Sequence, residues 1–117
     1  MSAGYYHFII EQGATFRHTL TLKDSAGSLV NLTGYSGAEM DLRKNQDDSS
    51  EVLTLTTGNS RITLGGSAGT VILEISATDT SALTVGDGVY DLELTDAQGK
   101  IFRIMEGTYS IRGNTSR

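Results

Sequence analysis

Hydrophobic and polar residues alternate along much of this chain. Between residues 15 and 23, Phe16, Leu20 and Leu22 share one side, while an arginine, two threonines and a lysine share the other. Segments 70–76 and 89–95 repeat the pattern. Successive side chains of a β-strand point to opposite faces, so a period of two predicts strands with one buried face.

Weaker alternation predicts five further strands, over residues 5–11, 38–44, 51–57, 61–64 and 101–111. In the last of these, apolar residues stand side by side at Ile101, Phe102, Ile104 and Met105. One extra residue in a strand exchanges the two faces, so this segment is expected to contain a β-bulge.

Turn residues separate the strands. Asp24–Gly27 and Asp96–Gly99 both place Asp first and Gly last, which is typical of a type I turn at the tip of a hairpin. The glycine-rich residues 65–69 predict a third hairpin. A short helix is expected near residues 77–83, with Thr78 as its cap, Asp79 near its positive end, and Ala82 and Leu83 closing the core.

These elements predict one domain over residues 1–117, with ends 1–4 and 113–117 extended or flexible. About eight strands at spacings near ten residues indicate an all-β fold, either an antiparallel β-sandwich or a barrel.

Composition disfavours several classes of partner. The 9 basic and 14 acidic residues give a net charge of −5, and the basic residues form no cluster. Nucleic acid and anionic membranes are therefore unexpected partners.

The longest apolar run, Phe8 to Ile10, is far shorter than the roughly 20 residues of a membrane span, and the amino-terminal residues do not resemble a secretion signal. Cysteine is absent, which excludes disulfides and thiolate metal sites.

Candidate chemistry is sparse. His7 and His18 belong to no recognisable triad, and packing is the favoured interpretation of both. Ser36 lacks the spacing and the helix of a nucleophile elbow. The acidic pair at residues 47–48, with Glu51, lacks the ligand spacing of a calcium loop and is read as a solvated connector. The turn at 65–69 lacks the following lysine of a phosphate-binding loop. We expect no enzymatic activity, no catalytic residue, no metal and no cofactor.

The amino-terminal segment indicates contacts with neighbours instead. A terminal strand exposes unpaired backbone groups that invite pairing with another chain. The predicted interface residues are Tyr5, Tyr6, His7, Phe8 and Arg112.

Several motifs occur in a fixed order from residue 9 to 111. They are Ile9–Phe16, Leu20–Asp24, Val30–Tyr35, Met40–Lys44, Ile62–Gly66, Gly69–Val71, Gly88–Thr95 and Glu106–Tyr109. With them the chain resembles small virion structural proteins of tailed bacteriophages. It is more loosely similar to the amino-terminal β-sandwich of phage baseplate upper proteins, where that domain connects a receptor-binding device to the tail.

The resemblance implies an immunoglobulin-like β-sandwich of about eight strands. It implies a non-enzymatic virion protein, made in the bacterial host cytoplasm and assembled in many copies, as a homo-oligomer or with other virion proteins. A tail, baseplate or fibre-attachment adaptor is the first expectation, and a capsid cement or decoration protein is the alternative. From another class, a carbohydrate- or receptor-binding module that uses exposed tyrosines remains open.

Overall fold

The structure is a computed structural model that describes residues 4–45 and 51–113. Over these residues the chain forms eight strands, a short α-helix α1 (Ala77–Ser81) and a 3-10 turn (Gly66–Ala68). The strands are β1 (Gly4–Glu11), β2 (Phe16–Thr21), β3 (Gly37–Arg43), β4 (Leu53–Thr56), β5 (Ile62–Leu64), β6 (Thr70–Ile75), β7 (Gly86–Thr95) and β8 (Ile101–Arg112). Each strand lies within, or within three residues of, a segment predicted from alternation. The acidic pair at 47–48 and most of the two chain ends lie outside the described residues.

The strands form two sheets, which confirms an all-β sandwich. The larger sheet has the order β1-β8-β7-β3-β4, and the smaller has the order β2-β6-β5. One pairing departs from the antiparallel expectation, because β1 runs parallel to β8 from Gly4 opposite Met105 to Glu11 opposite Arg112. No hairpin joins these two strands, so nothing in the local chain forces them to be antiparallel.

The core lies between the sheets and is built by the predicted alternation. On β6 the residues Val71, Leu73 and Ile75 are buried, and on β7 Tyr90, Leu92 and Leu94 are buried. Both sets belong to one hydrophobic cluster. Burial of each such side chain contributes roughly 1.5–3 kcal/mol, so this shared layer stabilises the pairing of the two sheets.

The predicted bulge occurs in β8. Leu92 of β7 pairs with Met105, but Glu93 pairs with Arg103, so Ile104 is the extra residue. Ile104 is buried, whereas Arg103 is exposed. The bulge therefore explains why apolar residues stand next to one another in this strand.

Two of the three predicted hairpins are confirmed. The turn at Asp96–Gly99 joins β7 to β8, and Asp96 Oδ1 accepts hydrogen bonds from the backbone N–H groups of Gln98 and Lys100. Residues 65–69 join β5 to β6. The Asp24 turn forms, with Gly27 N–H donating to Asp24 O, but it is followed only by an isolated bridge and not by a full strand. After this bridge the chain does not continue as a strand, and it leads to Leu32, which is buried in the core.

Helix α1 closes one end of the core. Its cap is Ser76 and not Thr78, since the Ser76 hydroxyl accepts the Asp79 N–H. Asp79 lies in the first turn, as expected. Leu83 is buried as predicted, but Ala82 is exposed, and the fully buried Thr80 occupies the inward position. Because the cap is Ser76 and not Thr78, the helix begins at Ala77, and Thr80, rather than Ala82, faces the core.

Candidate functional site

Two open strand edges lie side by side along one flank of the sandwich. β1 pairs only with β8, and β2 pairs only with β6, so each strand ends its sheet. Phe8 of β1 contacts rings of β2, with centroid distances of 5.6 Å to Phe16 and 5.0 Å to His18. The depression between them measures about 350 Å³ and is lined by residues 6–9, 11 and 14–18. We call it the edge groove.

The backbone groups of β1 alternate between β8 and solvent. Beyond the strand, Gln12 N–H donates to Arg112 O at 3.0 Å, and the backbone of Tyr6 lies within 3.1 Å of the Cβ position of Gly107. Even-numbered residues therefore direct their N–H and C=O groups towards β8. Because these directions alternate along a strand, Tyr5, His7 and Ile9 direct theirs to the open edge, whereas the C=O of Glu11 accepts the Ala14 N–H at 3.2 Å in the turn that follows.

The side chains of β1 divide between the core and the surface. Tyr5 is 72% exposed, and Tyr6 and Ile9 are each 45% exposed. Phe8 is 1% exposed and belongs to the core, so its prediction as an interface residue is wrong. It sits opposite β2 on the inner face, where alternation places it. Tyr6 packs edge-on against the Phe8 ring at 4.9 Å and covers it on the groove side.

Arg112 marks the carboxyl-terminal end of this flank. It is exposed and stands opposite Glu11 in the pairing of β1 with β8. Tyr5, Tyr6, His7 and Arg112 thus all lie at the surface beside the open edge. The structure brings these four predicted residues together along one strand pair.

His7 is held by hydroxyl groups on the outer face of the larger sheet. Its Nδ1 lies 2.6 Å from Thr108 Oγ1, and its Nε2 lies 3.0 Å from Ser110 Oγ. Both ring nitrogens are therefore occupied by hydroxyl groups, whereas a Ser-His-Asp triad would need one of them to bond a carboxylate. The ring is also exposed on an open sheet, where water competes for every hydrogen bond. This arrangement orients the imidazole towards β8.

His18 packs among aromatic rings in the edge groove. Its ring centroid lies 5.1 Å from that of Tyr6 and 5.0 Å from that of Phe8. Burial lowers the pKa of His18 because the charged imidazolium is poorly solvated there. The neutral ring is thus the form that the folded chain favours.

Two tyrosine–glycine pairs fix the strands around β1. Tyr90 stands opposite Gly107, crosses it, and donates its hydroxyl to Tyr6 O at 2.7 Å. Tyr109 stands opposite Gly88 and donates to Arg43 O at 3.3 Å. Burial raises the pKa of both tyrosine hydroxyls. Each tyrosine therefore links three neighbouring strands, and the repeated Gly-x-Tyr spacing is the signal that could have revealed them.

Helix α1 anchors the turn that leads from β1 into β2. The buried Thr80 hydroxyl donates to Ala14 O at 2.8 Å and accepts the Gly13 N–H at 3.1 Å. Gln12 Nε2 donates to Leu83 O at 2.5 Å. The turn that joins the two open edges is therefore hydrogen-bonded to Thr80 and Leu83. These bonds hold β1 and β2 at a fixed separation across the edge groove.

The outer face of the larger sheet carries a second, polar depression of about 260 Å³. Its lining includes Tyr5, Asp41, Arg43, Asp91, Arg103 and Glu106. Arg103 lies 3.5 Å from Asp91 and 3.6 Å from Glu106. Beside it, the pKa of Glu39 is raised by desolvation and then by the neighbouring carboxylates of Asp41, Glu93 and Glu51. Over residues 4–45 and 51–113, no cluster of three or more His, Asp or Glu residues is arranged to hold a metal ion.

Comparison with known proteins adds no relative. No protein-family model matches this sequence, and no match is found among curated proteins. Within the described ranges, none of the helical segments has the length and apolar character needed to cross a membrane.

Proposed function

We propose that this chain is a non-enzymatic structural protein of a bacteriophage virion, acting as a tail, baseplate or fibre-attachment adaptor that docks on other virion proteins. The observation that carries the proposal is the open edge of β1. It spans eight residues and exposes Tyr5 and Ile9 beside unpaired backbone groups.

The β1 edge lacks the devices that usually block strand pairing. Proteins protect edges with short strands, inward charges, lysine or proline. Among the described strands, the open edges of β4 and β5 are four and three residues long, and β2 carries Arg17. β1 has no charged residue between Gly4 and Ile10. A monomer that needed no partner would gain solubility from a charge there.

The resemblance of the ordered motifs to those of phage virion proteins supports the virion as the setting. In that setting the chain is made in the host cytoplasm and is incorporated in many copies. A capsid cement or decoration protein would use the same edge, so that location is the alternative within this class.

Incorporation into particles tests the proposal. Particles purified from the phage or prophage that encodes the chain are expected to contain it, measured by quantitative mass spectrometry. Tyr5→Lys and Ile9→Lys, which leave the core intact, are expected to reduce incorporation severalfold. Ile101→Lys is the matched control, since Ile101 is 63% exposed and lies beyond the part of β8 that pairs with β1. Absence of the chain from particles would refute the proposal.

A carbohydrate-binding module is a second candidate, favoured by the polar depression. Exposed Tyr5 stands beside carboxylates and guanidinium groups there, and this combination can stack on a sugar ring and bond its hydroxyls. Titration with candidate glycans would give saturable quenching of tyrosine fluorescence that Tyr5→Ala abolishes. Constant fluorescence across the glycans would remove this candidate.

A further inference from the structure

We propose that two copies of this chain associate by antiparallel pairing of their β1 strands about a two-fold axis at His7, so that the two larger sheets become continuous. This inference deepens the proposed function by naming a second copy of the chain as the partner that occupies the β1 edge, so that other virion proteins would contact the pair through its remaining surfaces. It rests on that function only for its biological setting.

The open backbone groups of β1 suit such a pairing. Tyr5, His7 and Ile9 present their N–H and C=O groups to the edge, as the bonds of Gln12 and Tyr6 on the opposite side require. A two-fold axis at residue 7 places each odd-numbered residue opposite another odd-numbered residue. Antiparallel strands exchange both hydrogen bonds at such pairs, so every open group in the overlap finds a partner.

The side chains of β1 also fit those of β1 in a second copy. With the axis at His7, Tyr5 faces Ile9 of the second copy, and Ile9 faces Tyr5 of the second copy. These are the two exposed apolar residues on the outer face of β1, and aromatic–β-branched cross-strand pairs are favourable. Moving the axis to Phe8 would place Tyr5 opposite Glu11 and would leave Ile9 opposite His7. The axis at His7 therefore makes the better set of contacts.

The centre of the pairing is formed by His7 of each copy. The His7 rings would meet on the axis, but each leans towards its own β8, where Thr108 and Ser110 hold both nitrogens. On the inner face, Tyr6 stands opposite Phe8 of the second copy, whose side chain stays buried in its own core, so the half-exposed Tyr6 ring is the side chain that meets the second copy there.

The distribution of charge around the β1 edge is compatible with association between two copies of this acidic chain. The net charge of −5 favours separation of copies, and the acidic outer face of the larger sheet would repel another such face. At the edge, by contrast, Glu11 stands opposite Arg112, and Arg17 pairs with Glu74 at 2.6 Å. A basic partner would be expected at the acidic face, whereas the β1 edge, which has no charged residue between Gly4 and Ile10, suits a copy.

A single introduced cysteine tests the pairing, because the chain has none of its own. His7→Cys would place two cysteines opposite each other on the axis, at a Cα separation of about 5.5 Å, which a disulfide can bridge. Ile9→Cys is the matched control on the same strand and face. Its two copies would be four residues out of register, about 13 Å apart. Under mild oxidation, His7→Cys is expected to form covalent dimers at least tenfold faster than Ile9→Cys. Equal rates would overturn the pairing.

Sedimentation of the unmodified full chain gives an independent measurement. We expect a reversible monomer–dimer equilibrium, and we expect Ile9→Lys to raise its dissociation constant at least tenfold while Ile101→Lys leaves it unchanged. Circular dichroism and the thermal midpoint would establish that each variant is folded. A chain that stays monomeric up to about 1 mM, where even millimolar affinity populates dimers, would overturn the inference.

The two proposals fail separately. A chain found in particles but monomeric in sedimentation would refute the β1 pairing and leave the virion function. A chain that dimerises as described but is absent from particles would refute the virion function and leave the pairing.

Discussion

Replacement of Gly88 by alanine tests the packing that holds the larger sheet together. The Cβ of the new residue would lie closer than 3.0 Å to the backbone O of Arg43 and to the ring of Tyr109. Real Cβ atoms essentially never approach other atoms so closely. Gly88 does not have a positive φ, so its backbone conformation is open to alanine and the effect comes from contact alone.

The expected loss of stability depends on the groups that must move to make room for the new Cβ. Overpacking a core costs typically 1–3 kcal/mol. The upper end applies here because the Arg43 carbonyl is backbone and the Tyr109 ring is fully enclosed. Displacing Tyr109 from Arg43 O forfeits a buried hydrogen bond of about 1 kcal/mol. We expect a loss of about 3–4 kcal/mol, or roughly 12–16 °C in Tm for a domain of this size.

Urea unfolding at pH 7, followed by circular dichroism and tyrosine fluorescence, measures this loss. Gly58→Ala is the matched control, since its Cβ would meet only Thr56 Oγ1 at 3.6 Å. It should change the free energy of unfolding by less than about 0.5 kcal/mol. If Gly88→Ala lost less than about 1 kcal/mol with an unchanged m-value, Tyr109 would not be locked over this glycine.

Three further outcomes are expected from the same unfolding assay. Thr80→Val should lose about 1–3 kcal/mol, because it removes the hydroxyl that bonds the Gly13 N–H and the Ala14 C=O, while Thr78→Val, at an exposed position, stays within about 0.5 kcal/mol. The lowered pKa of His18 means that protonation favours the unfolded chain, so stability should fall as the pH drops below about 6.5, and His18→Phe should remove that fall; an unchanged pH profile would contradict it. The raised pKa of Glu39 means that its charge opposes folding, so Glu39→Gln should stabilise the chain at pH 7 and lose this advantage below pH 4.5; a destabilised variant at pH 7 would contradict it.

Local pattern was sufficient to predict the strands and several details within them. Alternation located every described strand because each has one face in the core and one in solvent. The adjacent apolar residues at Ile104 and Met105 predicted the bulge, since only an extra residue reconciles them with one buried face. The Asp96 turn followed from residue chemistry that acts over four positions.

Features that depend on distant parts of the chain were not predictable in this way. The parallel pairing of β1 with β8 joins residues about a hundred positions apart, and no local signal sets its direction. The sequence places Phe8 among the interface residues because it stands in the amino-terminal strand beside Tyr5, Tyr6 and His7, but β2 covers it. The role of Thr80 depends on the Gly13 turn, which lies far away in sequence.

The same contacts that fix β1 make its open edge a suitable docking strand. Terminal strands often fray, and a frayed strand must be ordered before it can pair, which reduces affinity. Here Phe8 and Ile10 are 1% exposed, Tyr90 binds the Tyr6 carbonyl, and Thr80 anchors the turn that follows. All of these contacts act from the inner face or from the β8 side, so they rigidify β1 without occupying the backbone groups of Tyr5, His7 and Ile9. An incoming strand therefore meets a row of donors and acceptors that folding has already ordered. Pairing then loses little further conformational entropy in β1.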